Sequence, residues 1–477
     1  MICEQVSSTH NKTKINVNGF LMVKNRNRGN LYYWCCEKRK SLNCKGWANT
    51  ELIEGQHFLR STIDHSHAAE ASRIDVVKSI NAIKRKAQET NDQPVQIIQD
   101  MVAHTSQEIY PYLPSNNALR QSIKRIRRTC TNYPTEPQSL ASLVIPENMQ
   151  KTLDGSNFLI KDSTIGDNRI LIFTTIANIN HLNQSSIWIM DGTFKTVPTI
   201  FKQLYTIQGY VGGSENSRIL PLVYILMSSK SEECYQRLFQ DLIDFSEEQG
   251  IDLQPQYVLT DFEIAAINAV KTEFPEVQNK GCHFHLAQNV YRKVQSEGLT
   301  VQYGTDENFS LLIRHIPALA FFPPDDIPIA FDELKTNMPV EANGIMEWFE
   351  EYYVRGRARR ASRNRRSLPL FPPSLWSVTD NIGNELPRTQ NSVEAWHRRW
   401  EILVGGTHVS VFKIIEEIQK EQNRVQLEIE SILRGLPQKL PKRKDREHET
   451  RIQIVYGDRD NRTVMDFLRG IAHNIAF

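Results

Sequence analysis

The feature that most constrains this chain is a run of three β-like segments followed by strict alternation. Residues 187–194 (IWIMDGTF), 204–211 (LYTIQGYV) and 218–228 (RILPLVYILMS) are apolar, rich in β-branched and aromatic residues, and joined by short turns. A helical pattern follows at 231–249, then a strand at 256–261 (QYVLTD), a helix at 263–274, a strand reaching CHFH at 282–285, and a helix at 286–297. Only a sheet with helices packed on it accommodates that succession.

The order is that expected of a ribonuclease H-like mixed sheet, an α/β core predicted over 151–300. The other segments arrange themselves around it. A β-rich mini-domain is predicted over 10–70, where short strand-like runs alternate with polar turns. A helical region follows over 71–130, with Ile74, Val77, Ile80 and Ile83 on one face. Its last helix, Ala118 to Arg128, sets Ile123 and Ile126 against Lys124, Arg125, Arg127 and Arg128. Three short helices with a basic last one suit a helix-turn-helix DNA-binding region, although amphipathic helices with solvated charges are commoner. Residues 131–150, rich in Pro and Ser, read as a linker. A helical insertion over 301–385 contains RGRARRASRNRR (355–366), and a C-terminal helical region over 386–477 includes KRKDR (442–446).

Net charge is +2, but it is unevenly spread. Residues 1–70 carry +4, 71–130 carry +5, 131–350 carry −14 and 351–477 carry +7. Basic flanks around an acidic centre suit a protein that grips a polyanion and keeps cation-binding carboxylates in the middle. Seven cysteines, of which only Cys35, Cys36 and Cys44 cluster, argue against a disulfide framework. The N-terminal residues lack an apolar core of signal-peptide length, and the longest apolar run is interrupted by Pro221. The expectation is a soluble intracellular protein with no membrane partner.

Cys36, Cys44, His65 and His67 are spaced C-x7-C-x20-H-x-H. Two thiolates and two imidazoles satisfy tetrahedral Zn²⁺, and a segment this short needs such a staple to fold. Adjacent strand residues face opposite ways, so Cys35 is an alternative to Cys36. The competing explanation is a buried Cys pair beside a polar His-Ser-His loop.

Asp191 and Asp261 stand at strand ends, and Glu394 lies on a helix. Neighbouring strand ends bring two aspartates within reach of one cation, and a helix across the sheet edge can add a glutamate. Carboxylate-only ligation favours Mg²⁺ or Mn²⁺, the ions of two-metal phosphodiester chemistry. Each residue also has an ordinary explanation. Asp191-Gly192 could be a turn, Thr260-x-x-Glu263 a capping box, and Glu394 with His397 and Arg398 an exposed ion-pair face. Cys282 and His285 (C-x-x-H) could form half of a second metal site, with a structural role the commoner outcome. RGRARRASRNRR, with seven arginines in twelve residues, could hold DNA phosphates or act as a nuclear import signal. GYVGGSENSR (209–218) lacks the Lys-Ser/Thr ending of a phosphate loop and reads as a hairpin.

Two resemblances sharpen these readings. Phe20-Leu21, Tyr33-Trp34, Cys36, Cys44 and His65-Ser66-His67 resemble a FLYWCH zinc finger over about 15–70; in that family the Cys after Trp-x ligates, which implies Cys36. WIMDGTFKTVP (188–198), QLYTI (203–207), TDFEIAAINA (260–269), GCHFHLAQN (281–289) and RTQNSVEAWH (388–397) are similar, in order, to a Mutator-like element (MULE) transposase domain. That resemblance implies a DDE-type catalytic triad of Asp191, Asp261 and Glu394 holding Mg²⁺ or Mn²⁺. The family usually shows Asn-Asn before its glutamate, where Gln390-Asn391 stands here, and His397 takes a place where Asn also occurs. The implied function is metal-dependent DNA cleavage and strand transfer by a nuclear protein, and the chemistry suits a dimer or larger assembly on DNA. The alternatives are a domesticated DNA-binding regulator without catalysis and, disfavoured by the basic helices and arginine cluster, a zinc-dependent protein-interaction adaptor.

Overall fold

The computed structural model describes residues 1–7, 13–70, 72–90, 92–106, 108–130, 133–213, 216–359, 362–384, 386–437 and 443–475. The chain divides into two compact units, Met1–Pro134 and Thr135–Phe477.

In the first unit six antiparallel strands close into a barrel: β1 (Ile2–Ser7), β2 (Thr13–Val17), β3 (Phe20–Arg28), β4 (Leu31–Cys36), β5 (Trp47–Ile53) and β6 (Gln56–Ile63). Its core is small, built on Ile15, Val17, Met22 and Trp34 together with Cys36 and Cys44. Three helices follow, α1 (Arg73–Glu89), α2 (Pro94–Ala103) and α3 (Asn116–Cys130). They bury Ile83, Ala87, Ile97, Ile98, Leu119 and Ile123 against one another. Pro94 opens α2 where its missing N–H costs no hydrogen bond.

The second unit centres on a seven-stranded mixed sheet of order β13-β12-β9-β10-β11-β8-β7. Its strands are β7 (Leu159–Ile165), β8 (Asn168–Phe173), β9 (Ile187–Thr193), β10 (Gln203–Val211), β11 (Arg218–Met227), β12 (Tyr257–Thr260) and β13 (Gln278–Gly281). Only β9-β12 and β12-β13 pair in parallel. The helices are α4 (Ile176–Gln184), α5 (Glu232–Glu248), α6 (Ile264–Glu273) and α7 (His283–Ser296). The expected alternation after β11 is therefore present, extended on the far edge by the β7-β8 hairpin, which the sequence reading did not separate.

Side-chain alternation assigns the two faces of the central strands. Trp188 and Met190 pack with the residues of α5 and α6. Ile187, Ile189 and Leu259 face the opposite way, against Cys282 and Val393. Val393 belongs to the helix Asn391–Val404, which therefore lies on the face to which Asp191 also points. A separate helical core over roughly the 300–385 region is closed by Phe467, Leu468 and Ile471 of the helix Val464–Ala472.

Candidate functional site

In the barrel unit the four zinc-type residues converge: their ligand atoms all lie within 4.8 Å of one another. Cys36 Sγ is 3.2 Å from His67 Nε2, and Cys44 Sγ is 3.5 Å from His65 Nδ1. Bonds of about 2.0–2.3 Å in a tetrahedron place neighbouring ligands roughly 3.3–3.8 Å apart, so the donor set fits Zn²⁺. His67 Nδ1 lies 2.8 Å from the Ala68 carbonyl, and donating there leaves Nε2 free as a ligand. Phe20 stacks flat on His65 at 3.7 Å and meets His67 edge-on, holding both rings. Burial alone would raise the Cys44 thiol, but N–H donors from Gly46 and Ser66, with Cys36 beside it, bring it down to about 7. Burial raises Cys36. Cys36, not Cys35, belongs to the group. The sequence reading missed Gly46: a Cβ there would stand 2.5 Å from the His65 ring.

The acidic residues come together through strand register. Leu259 pairs with Ile189 across the parallel β9-β12 ladder, and Asp261 and Asp191 each follow two residues later. Parallel neighbours lie about 4.8 Å apart, and Asp261, just past the end of β12, is near enough to Asp191 in β9 for its charge to raise that carboxyl. Asp191 is not in a turn: β9 runs on through Thr193, and Asp191 Oδ1 accepts the Gly192 N–H at 2.7 Å. The capping box at Thr260 does not form either. The cap of α6 is Glu263, which makes no side-chain cap bond, and its N–H donates to Asp261 Oδ1 at 3.2 Å.

Glu394 arrives from the first turn of the helix Asn391–Val404. Four residues earlier, the buried Gln390 amide donates to Met190 O at 3.0 Å and Leu259 O at 3.2 Å. One side chain thus ties the Glu394 helix to β9 one residue before Asp191 and to β12 two residues before Asp261. Burial first, then the charges of Asp261 and Glu394, push Asp191 up to about 7. Burial raises Asp261 and Glu394 as well. Lys230 favours ionisation of both aspartates, although its ammonium is paired with Glu263 and sits over the Phe194 ring. The electrostatics are those of a buried, under-neutralised carboxylate cluster, a donor set that suits a hard cation. Among the described residues, only the Cys/His group has three or more ligands already drawn to metal distance.

His397 is not on an exposed ion-pair face. Its Nδ1 lies 3.6 Å from Asp191 Oδ2, with both side chains largely buried. Cys282 and His285 also border the site. Burial raises the Cys282 thiol to about 12, while its sulfur accepts backbone N–H groups of His285, Gln390 and Phe284. His285 sits in the first turn of α7 and not on a strand; its Nδ1 is buried without a hydrogen-bond partner. Burial lowers both His285 and His397 to about 4. His283 points away, its Nε2 lying 3.1 Å from Pro317 O.

Two basic segments divide between structural and free arginines. On α3, Arg127 turns inward and donates to the carbonyls of Ala87, Thr90 and Asp92 near the end of α1. Arg120, Lys124 and Arg125 are exposed. In 355–366, Arg355 pairs with Asp332 and Glu350, and Arg357 with Glu351. The backbone of Ala358–Arg359 and Ser362–Arg366 forms a small hairpin; Arg360, like Lys442 of KRKDR, lies outside the described residues. No helix among the described residues is long and apolar enough to cross a membrane.

Two known families match parts of the chain. Residues 5–67 match the FLYWCH zinc finger domain, and residues 187–289 match the MULE transposase domain. Asp191, Asp261, Cys282 and His285 lie inside the second match, and Glu394 lies beyond it. No curated protein matches the chain at a significant level. In order along the sequence, the chain carries a FLYWCH zinc finger domain and then a MULE transposase domain, the make-up of a transposase-like DNA-binding protein.

Proposed function

We propose that the mixed-sheet unit cleaves and rejoins DNA phosphodiesters, using Mg²⁺ or Mn²⁺ held by Asp191, Asp261 and Glu394. What supports the reading is the parallel β9-β12 register, which brings Asp261 at the end of β12 beside Asp191 in β9, with Glu394 near enough for its charge to raise Asp191 too. A divalent ion supplies the activation of the attacking oxygen and the charge stabilisation at the leaving oxygen. The chain's own part is to hold the carboxylates. Asp191 and Asp261 bind from the sheet, Glu394 closes the site from its helix, and Gln390 keeps that helix in register. The reaction forms a bond from phosphorus to a water or 3′-hydroxyl oxygen and breaks the bond to the departing 3′-oxygen.

The finger, α1–α3 and the Arg-rich hairpin would hold DNA by phosphate contacts. Kinship with ribonuclease H-like enzymes, division at about 70, 130, 300 and 385, nuclear residence and assembly as a dimer or larger on DNA belong to the same reading. The test is a nicking and strand-transfer assay on supercoiled plasmid with Mg²⁺ or Mn²⁺. Metal-dependent cleavage that Asp191→Asn abolishes supports it. Tight DNA binding without cleavage, equal in wild type and Asp191→Asn, would overturn it in favour of a DNA-binding regulator. Light scattering with and without DNA reads the assembly state.

A further inference from the structure

We propose that His397 is a nitrogen ligand of the cation bound at Asp191, making the centre a mixed oxygen–nitrogen site that favours Mn²⁺ over Mg²⁺. The inference rests on the carboxylate-site reading above and adds a residue and a metal preference to it.

Helical spacing sets His397 on the same face as Glu394, one turn along. The 3.6 Å between its Nδ1 and Asp191 Oδ2 is too long for a hydrogen bond. It is close to the spacing of adjacent ligands on one ion: bonds of about 2.1 Å at right angles put neighbours about 3 Å apart, and wider bond angles lengthen that. The opposite carboxylate oxygen, Oδ1, is already engaged by the Gly192 N–H, so Oδ2 is the oxygen left to face the imidazole. Both side chains are about nine-tenths shielded, at 14% and 10% exposure.

An unpartnered atom points the same way. Glu394 Oε1 is buried without a hydrogen-bond partner. Folded proteins seldom leave such atoms bare unless something else engages them. A cation between Asp191, Glu394 and His397 would engage Glu394 Oε1 and His397 Nδ1 together. Imidazole binds Mn²⁺ in preference to Mg²⁺, which keeps to oxygen donors, and the selectivity follows from that. His285 is the competing nitrogen, since its Nδ1 is buried without a hydrogen-bond partner.

The experiment uses the zinc-loaded full chain with Mn²⁺ alone as probe, read by pulsed electron paramagnetic resonance. The expected result is an Asp191-dependent Mn²⁺ signal modulated by a directly bound imidazole ¹⁴N. His397→Asn should abolish the modulation and weaken Mn²⁺ binding about tenfold or more. His285→Asn should leave both intact. An Asp191-dependent signal without nitrogen modulation overturns the proposal, and that wild-type measurement needs no variant to fold. Modulation that survives His397→Asn and disappears in His285→Asn overturns it as well. Absence of any Asp191-dependent Mn²⁺ signal would instead overturn the underlying carboxylate-site reading.

Discussion

At the scale of single residues, Asp191 makes the sharpest prediction. Its carboxyl is pushed up to about 7 by burial and by the neighbouring Asp261 and Glu394. In the metal-free protein, proton binding to this raised group contributes folded stability that is complete below the unfolded carboxylate range and is lost as pH rises through about 7. A divalent cation competes with that proton. The rise in melting temperature produced by Mn²⁺ should therefore be largest above pH 7 and shrink below it, with apparent affinity falling about tenfold per pH unit for each proton displaced. Thermal melts at several pH values with and without Mn²⁺ measure it; a shift independent of pH would contradict the assignment. On the zinc side, Gly46→Ala would press a methyl into the His65 ring and should release zinc faster to a chelator, which a colorimetric zinc indicator follows. Asp191, Asp261 and Glu394 could be singled out because each sits inside a recognisable word of the sequence. Gly46, Lys230 and the inward turns of His397 and Arg127 were not. Where a polar side chain on a helix points is decided by what packs against that helix, and no local pattern records that.

At the scale of elements, strands were easier to read than junctions. The long apolar runs of β9, β10 and β11 announce themselves, whereas β5 (WANTELI) mixes polar and apolar residues and buries only Ala48 and Thr50 fully. The Asp191-Gly192 pair looks like a turn because that dipeptide favours turns. Here Gly192 lies within β9, and glycine is needed because a Cβ would stand 2.5 Å from Gln203 Oε1. The Gln390 bridge gives the element-level prediction. Gln390→Ala leaves the Met190 and Leu259 carbonyls without that donor and should cost about 1–3 kcal/mol in denaturant unfolding. It should also weaken Mn²⁺ binding, because Glu394 loses its register. An unchanged Mn²⁺ affinity would show that the helix is positioned by packing alone. On α3, Lys124→Ala with Arg125→Ala should weaken DNA binding on any sequence and flatten its salt dependence by about two units of slope if both meet phosphate.

At the scale of the whole molecule, the two units differ in what holds them. The sheet unit has extensive apolar cores, while the barrel's own core is a handful of residues that includes two of the four metal ligands. Stripping zinc should unfold the barrel and leave the sheet unit folded. Calorimetry would then show one transition removed by chelator and a second unmoved, and loss of both together would contradict the division. The alternation of charge along the chain foretold basic flanks and an acidic centre. It could not foretell that Arg355 and Arg357 are spent on acidic neighbours, because pairing depends on contacts made only in the folded state.

The amide of Gln390 reaches back 200 residues to Met190 and 131 to Leu259. During synthesis, a ribosome has made both aspartate strands long before it makes their fastener. A product of premature termination anywhere short of Gln390 would possess two acids, no third, and nothing to clamp them. Under the chemistry proposed above, incomplete chains cannot cut, and that capacity arrives only once most of the polypeptide exists.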